Sequence, residues 1–396
     1  MASASFPLSP EFRLVCAACR WPREARDAAV RAAVVPGLDW SRVAMITKRH
    51  RVWGLVADGL RSAGVEPPET FARLFAEHGG RITRQNLAAA AETRRLGAMF
   101  GAAGIDWITF KGLALAIQAY GTLAIKSAKD VDLLVAPEDC ERACAVLAGA
   151  GYVRVTPGAD VSDDQLGAWM RISSESGWRH PGLGVAIDLH GRLMANSALL
   201  PQAMLSAPRK HVTIAPGIDV PTMSDALLFP YLFAHGAHDG WFRLKWLADV
   251  AALLSSEGPG GAEARYRESK ALGVGRCAAQ ALLLAHELLA LPLTPDFVRE
   301  LRRSPVHRML VRVAMAAMAG KYEAVEHEGA KRAMVPVRVT SLMLRRGAGY
   351  KWRELGSLAT NPVDRAKGRL PPALSFLYPV LGGVRWSGRM LGLRAR

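Results

Sequence analysis

The stretch 129–135, KDVDLLV, constrains this chain more than any other. VDLLV is a strand whose apolar residues suit a buried sheet. Asp130 and Asp132 sit at i and i+2, so on a strand their carboxylates share one face with backbones about 7 Å apart. That spacing lets them share bound divalent cations. Such a strand needs a sheet around it, and the flanking sequence supplies one.

At Gly104 the pattern changes to IDWITF, a β-branched and aromatic run that reads as a strand. LALAIQAYG fits a helix of about two turns closed by Gly121. PEDCERACAVLAGAGY is an amphipathic helix with Pro137 in its first turn, Glu138 and Asp139 near its positive end, and Gly149 and Gly151 past its exit. A polar loop with Asp160, Asp163 and Asp164 leads to GVAIDLHGRL, a strand with period-two alternation. Val185, Ile187 and Leu189 face one side of it; Ala186, Asp188 and His190 face the other.

On either side the pattern is helical. Residues 10–100 read as FRLVCAACR, REARDAAVRAAVV, the stretch DWSRVAMITKRHRVWGLVADGLRSAG, and FARLFAEHGGRITRQNLAAAAETRRLGAMFGAAG, with Asp39 a helix start and Gly64 a stop. From Ser224 come DALLFPYLFAHGAHDG and WFRLKWLADVAALLSSEG, a loop at EGPGGAEA, then RCAAQALLLAHELLALPL and VHRMLVRVAMAAMAGKYEAV. The expected class is therefore α+β, mostly helical with a small mixed sheet. The expected division is a helical region at 1–103, a sheet-bearing core at 104–222, a helical domain at 223–330 and a basic tail at 331–396.

At 396 residues, half of them apolar, the chain can bury a large core. The N-terminus has no basic segment followed by an apolar signal core, and no long apolar run follows, which places the protein in the cytoplasm. Five cysteines make no disulfide framework, and Cys16 and Cys19 simply share a helix face. Of the formal charge of +16, the tail carries +12, with 14 Lys and Arg against Glu354 and Asp364. Its end, SFLYPVLGGVRWSGRMLGLRAR, mixes apolar residues with arginines and suits an anionic membrane surface or a protein partner, including a peripheral position at the inner membrane face. No recognised nucleic-acid motif accompanies it, so no specific nucleic-acid partner is expected.

Asp188, from a second strand, can complete an oxygen-rich cradle with Asp130 and Asp132. Its alternative is an ion pair with Arg192 or Arg179. Hard cations such as magnesium, or manganese in its place, take oxygen ligands, and two of them can clamp the attacking and leaving oxygens of phosphoryl transfer. The corner Phe110, Lys111, Gly112 offers a triphosphate a close glycine backbone, free helix amides and a positive charge. Lys126 and Lys129 stand just before the aspartates. His190 reads as a neighbour of the acidic site. His235, His238, Trp241, Arg243, Lys245, Trp246 and Asp249 can form one wall of a nucleotide or acceptor pocket. On the alternative reading Trp246 packs in the core and Asp249 pairs with a nearby cation.

The ordered set FKGLALA with a following tyrosine and glycine, KSAKDVDLLV, a helix ending in AGAGY, AIDLHGRL and HGAHDGWFRLKWLADVAAL resembles the uncharacterised bacterial nucleotidyltransferase-like proteins of the polymerase-β-type superfamily. The resemblance spans roughly residues 10–255, since KRHRVWGLVADGL also resembles that family's N-terminal region. It implies the polymerase-β-like sheet topology, Asp130, Asp132 and Asp188 as metal carboxylates, and Gly112 as the phosphate-loop glycine. Leu113 stands where members often have glycine or serine, and Lys126 where they usually have arginine. The implied activity is magnesium-dependent transfer of a nucleoside monophosphate from a nucleoside triphosphate, ATP among them, to an acceptor hydroxyl. Lys111, Gly112, Lys126, Lys129, Arg243 and Lys245 would bind the nucleotide. The alternative is a non-catalytic nucleotide-binding or scaffold protein, membrane-peripheral, in a polysaccharide or natural-product assembly system.

Overall fold

The computed structural model describes residues 6–158, 161–200, 208–326, 331–359 and 363. Five helices come first: α1 (Pro10–Ala18), α2 (Arg23–Ala33), α3 (Trp40–His50), α4 (Trp53–Ser62) and α5 (Glu69–Ala102). Asp39 caps α3, its carboxylate accepting from the Arg42 amide at 3.1 Å. The stretch 39–64 is two helices rather than one, because Arg51 takes a left-handed backbone (φ 56°) between α3 and α4.

The middle of the chain holds β1 (Trp107–Thr109), α6 (Gly112–Tyr120), β2 (Asp130–Val135), α7 (Cys140–Gly149), β3 (Val153–Thr156), α8 (Leu166–Ile172), β4 (Glu175–Arg179) and β5 (Ala186–His190). The five strands form one mixed sheet in the order β1-β2-β5-β4-β3, with β2 and β5 parallel and the other pairs antiparallel. A hairpin of β6 (Arg209–Ala215) and β7 (Ile218–Met223) follows. The α+β class expected from the sequence holds: the chain is mostly helical with a small mixed sheet. β3, β4 and the hairpin are additions to the elements read from the sequence. Short strands such as ESGWR carry too few apolar positions to show a period.

The second helical set is α9 (Asp225–His238), α10 (Leu244–Ser255), α11 (Pro259–Ala271), α12 (Gly275–Leu289), α13 (Pro295–Arg303), α14 (Pro305–Met318), α15 (Lys331–Ser341) and α16 (Ala348–Ala359). The loop expected at EGPGGAEA ends at Gly258, because Pro259 opens α11 in the first-turn position where its missing N–H costs nothing. The helix expected from Trp241 begins three residues later. Trp241 is left-handed (φ 51°), and the Leu244 amide donates to His50 Nδ1 at 3.0 Å, so α3 caps α10.

Helices from the two ends of the chain share one core, in which Phe12, Ile46 and Val56 join Phe233, Leu247, Leu282 and Leu310. A second core lies under the sheet and includes Leu96, Phe100, Leu147, Ile187 and Leu189. Strand β2 divides between them. Val131, Leu133 and Val135 enter the second core, while Leu134 joins the first. Asp130 and Asp132 therefore lie on the face turned toward the helices. Cys16 and Cys19 are buried free thiols in the first core, in keeping with their shared helix face. Among the described residues no helix is long and apolar enough to cross a membrane. The tail segment 375–396 lies outside the described residues, and with it the expected membrane or protein contact.

Candidate active site

Parallel pairing of β2 with β5 sets Asp132 directly beside Asp188, and Asp130 beside Ala186. One carboxylate oxygen from each of Asp130, Asp132 and Asp188 lies within 4.8 Å of the others. It is the one group of three or more metal-ligating side chains among the described residues. Gly177, opposite Asp188 on β4, leaves it room: a Cβ there would lie 3.5 Å from Asp188 Oδ1 and 3.2 Å from Thr156 Cβ. On the other side Gly112 takes φ +51° at the start of α6, and a Cβ there would come within 3.8 Å of Asp132 Oδ2. The glycine corner and the carboxylates thus share one small space.

Electrostatics mark this space as unbalanced. Lys111 Nζ lies 2.9 Å from Asp132 Oδ1, and His190 Nε2 lies 3.3 Å from the same oxygen. Burial would raise the Asp132 carboxyl, but the Lys111 ammonium and the His190 ring outweigh it and hold it well below the usual carboxylate range. Asp188 goes the other way. Burial first, then the charges of Asp130, Asp132 and Glu175, push it up to about 8. Three carboxylates this close need added positive charge, and their oxygens are the donor type that magnesium and manganese take. The residues present fit such a cation. Arg192, considered as a partner for Asp188, donates to the carbonyls of Arg171 and Ser173 at 2.9 and 3.1 Å.

The segment leading into β2 is fixed from the helical side. Asn86 of α5 is fully buried, and its amide nitrogen donates to the carbonyls of Leu123 and Lys126 at 2.6 and 2.7 Å. Its amide oxygen accepts from the Ala128 backbone at 3.1 Å. Gly54 of α4 faces the same segment, where a Cβ would lie 2.0 Å from the Ile125 carbonyl oxygen. No other residue fits there.

The remaining sequence candidates divide. The Lys129 side chain reaches solvent next to Asp130, and partial desolvation at its base, with Arg51 and Arg243 nearby, lowers its pKa. Lys245 is lowered to about 7 by burial and by Lys126 and Arg51, with Asp130 opposing. Lys126 is engaged elsewhere, its ammonium 2.6 Å from Asp249, which also accepts from the Tyr120 hydroxyl at 3.0 Å. Arg243 is buried, donating to the Arg49 carbonyl at 2.5 Å with Glu326 3.6 Å away. Trp241 is fully buried against Gly236, so it offers no stacking face. His238 pairs with Asp239 and Glu354. His235 lies in a line of rings, stacked on Tyr231 and edge-on to Trp246, and Tyr231 meets Phe110 beside the glycine corner.

The family model of the uncharacterised nucleotidyltransferases matches residues 36–290. The chain belongs to that family. Membership makes it a transferase whose donor is a nucleotide, and the match covers every residue of the acidic cluster and the glycine corner. A comparison with curated proteins finds no match.

Glu175, Tyr231 and a set of cations on the helical side also surround the site without any motif in the sequence to mark them. Glu175 Oε2 lies 3.4 Å from His190 Nδ1. Its strand had no readable period, so no pattern pointed to it.

Proposed function

We propose that the chain transfers a nucleoside monophosphate from a magnesium-bound nucleoside triphosphate to a hydroxyl of an acceptor. The observation that carries this reading is the convergence of Asp130, Asp132 and Asp188 within 4.8 Å, beside a glycine at φ +51° that opens a helix. The strand order β1-β2-β5-β4-β3, with β2 and β5 parallel, supports the polymerase-β-type topology and a nucleotidyltransferase core at 104–222. The helical regions on either side would wall the site.

Asp130, Asp132 and Asp188 would hold the divalent cation, which when bound supplies charge neutralisation for the phosphates and acidifies the acceptor hydroxyl. Gly112 gives the phosphates access to the amides opening α6, and Lys129 and Lys245 add positive charge near Asp130. Lys111 serves either the Asp132 carboxylate or a phosphate oxygen within its reach. Lys126, held by Asp249, and Arg243, held by the Arg49 carbonyl, would shape the wall. The acceptor oxygen bonds to the α-phosphorus as the bond to the β-phosphate breaks. Pyrophosphate leaves with the bonding electrons, and the acceptor proton passes to the carboxylate cluster.

The test is to incubate the protein with magnesium and each labelled nucleoside triphosphate, beside Asp130→Asn plus Asp132→Asn. Nucleotide binding and pyrophosphate release are expected in the wild type and loss of release by roughly a thousandfold in the variant. A wild type that neither binds nor turns over any nucleotide sinks the reading. Binding without turnover under every acceptor tried favours the non-catalytic alternative.

A further inference from the structure

A cleft of about 550 Å³ opens between the helical N-terminal region and the sheet, and Asp130 lies on its rim. Helices α3 and α5 and the turn after α3 contribute Lys48, Arg51 and Arg81; the sheet side contributes Lys129 and Arg179. Among the described residues none of these five cations has a carboxylate within 4.0 Å, although 20 Lys or Arg pairs with a carboxylate occur elsewhere. Glu326 and Asp130 are the acids that line the space. Between these cations the lining carries rings and apolar side chains, with Trp53 packed against His78 at 4.0 Å between ring centroids, and with Ile82, Leu183 and Val185. Arg51 reaches the cleft from a left-handed backbone (φ 56°), a conformation that a long side chain rarely adopts.

We propose that this cleft holds the phosphate-bearing end of the acceptor, whose hydroxyl then meets the α-phosphorus beside Asp130. The proposal rests on the nucleotidyl-transfer reading. Unpaired cations at this density repel one another, and a phosphate dianion relieves several of them at once through charge-assisted hydrogen bonds. The volume suits a small molecule, and the Trp53 wall suits an apolar or planar part next to the phosphate. On that reading the donor triphosphate has its own place at the Gly112 corner, and neither Lys111 nor Gly112 lines this cleft. An acceptor seated here would approach those carboxylates through Asp130 and Ala186, both on the cleft lining.

Phenyl phosphate is a suitable probe, titrated calorimetrically into the full chain in the presence of EDTA. Binding is expected in the wild type and in Asp130→Asn plus Asp132→Asn. It should weaken at least about tenfold in Arg51→Gln plus Arg81→Gln and likewise in Lys48→Gln plus Arg179→Gln. The affinity of both cleft variants for a magnesium-bound non-hydrolysable nucleotide should stay within about threefold of wild type, since the donor is held elsewhere. No phenyl phosphate binding by the folded wild type overturns the proposal. So does a nucleotide affinity that falls in step with the phenyl phosphate affinity, because the cleft would then hold the triphosphate. If the wild type binds phenyl phosphate and no nucleotide, the nucleotidyl-transfer reading fails while the phosphate site stands.

Discussion

Two lysine–aspartate pairs flank the sheet, and they differ in what surrounds them. Lys126 and Asp249 are both buried, 2.6 Å apart, and the second carboxylate oxygen takes the Tyr120 hydroxyl. That network closes on itself. Lys111 and Asp132 are 2.9 Å apart, but the same carboxylate also meets His190, and Asp130 and Asp188 stand beside it with Glu175 beyond. Negative charge is left over there. A balanced buried pair organises a fold, whereas an unbalanced one offers a binding energy that only an added cation can collect.

The largest expected effects come from exchanging which pair is broken. Asp249→Ala leaves the Lys126 ammonium buried without a partner and is expected to cost about 3–5 kcal/mol, read as a lower denaturation midpoint. Asp132→Asn keeps the shape and takes the charged partner from Lys111 and His190 while relieving Asp188 of a like charge, so stability should fall by about 1–2 kcal/mol, less than in Asp249→Ala, while nucleotidyl transfer falls roughly a hundred- to a thousandfold. If Asp132→Asn unfolds the protein and Asp249→Ala does not, the two pairs have been assigned the wrong way round.

This contrast also explains what the sequence displays. Asp130, Asp132 and Asp188 are legible because strand periodicity places them on faces, and parallel pairing then joins Asp132 to Asp188 in register. Gly112 is legible as a corner. Lys126 stands four residues before Asp130 like a phosphate ligand, yet it serves Asp249, whose position depends on how α10 packs. Arg243 is similar: a basic residue near a motif, turned inward to the Arg49 carbonyl. The cleft cations come from residues 48, 51, 81, 129 and 179, and no local period links positions so far apart. Asn86 is equally silent in the sequence, since a single asparagine in a long helix gives no sign that it fixes a loop about 40 residues downstream.

A smaller effect sharpens the comparison from the unbalanced side. Asp188 is pushed up to about 8 from its ordinary 3.8 by burial and by its acidic neighbours. Because its folded pKa is raised, the stability it permits is full below about 4 and is lost as pH rises through about 8. Asp188→Asn in EDTA should therefore stabilise the protein at pH 9 by about 2 kcal/mol, allowing for partial solvent screening. The gain should shrink steadily as the pH is lowered toward 4. With magnesium present the order should reverse, since the variant loses a ligand. A gain that is the same at pH 9 and pH 4 would mean that the acidic cluster is not what strains this site.

The smallest expected effect belongs to a third network, where α16 meets α9. His238 lies 3.6 Å from Glu354, and Glu354 also accepts from Asn196 and Ser341 at 2.8 and 2.7 Å. Burial would lower His238, but Asp239 and Glu354 outweigh it and raise it from 6.5 to about 10. Burial would raise Glu354, but His238, Asn196 and Ser341 outweigh it and bring it from 4.5 to about 2. The histidine contribution is thus full below 6.5 and lost as pH rises through about 10; the glutamate contribution is full above 4.5 and lost as pH falls through about 2. Docking of α16 should be firmest between these limits and weaken toward alkaline pH by on the order of 1 kcal/mol, given the partial exposure of His238. Hydrogen exchange of α16 amides at pH 6 and pH 10, corrected for intrinsic rates, reads this directly. His238→Gln should flatten the alkaline limb, because the charge that Asp239 and Glu354 hold is then gone. An alkaline limb of the same depth in His238→Gln would assign the effect to another group.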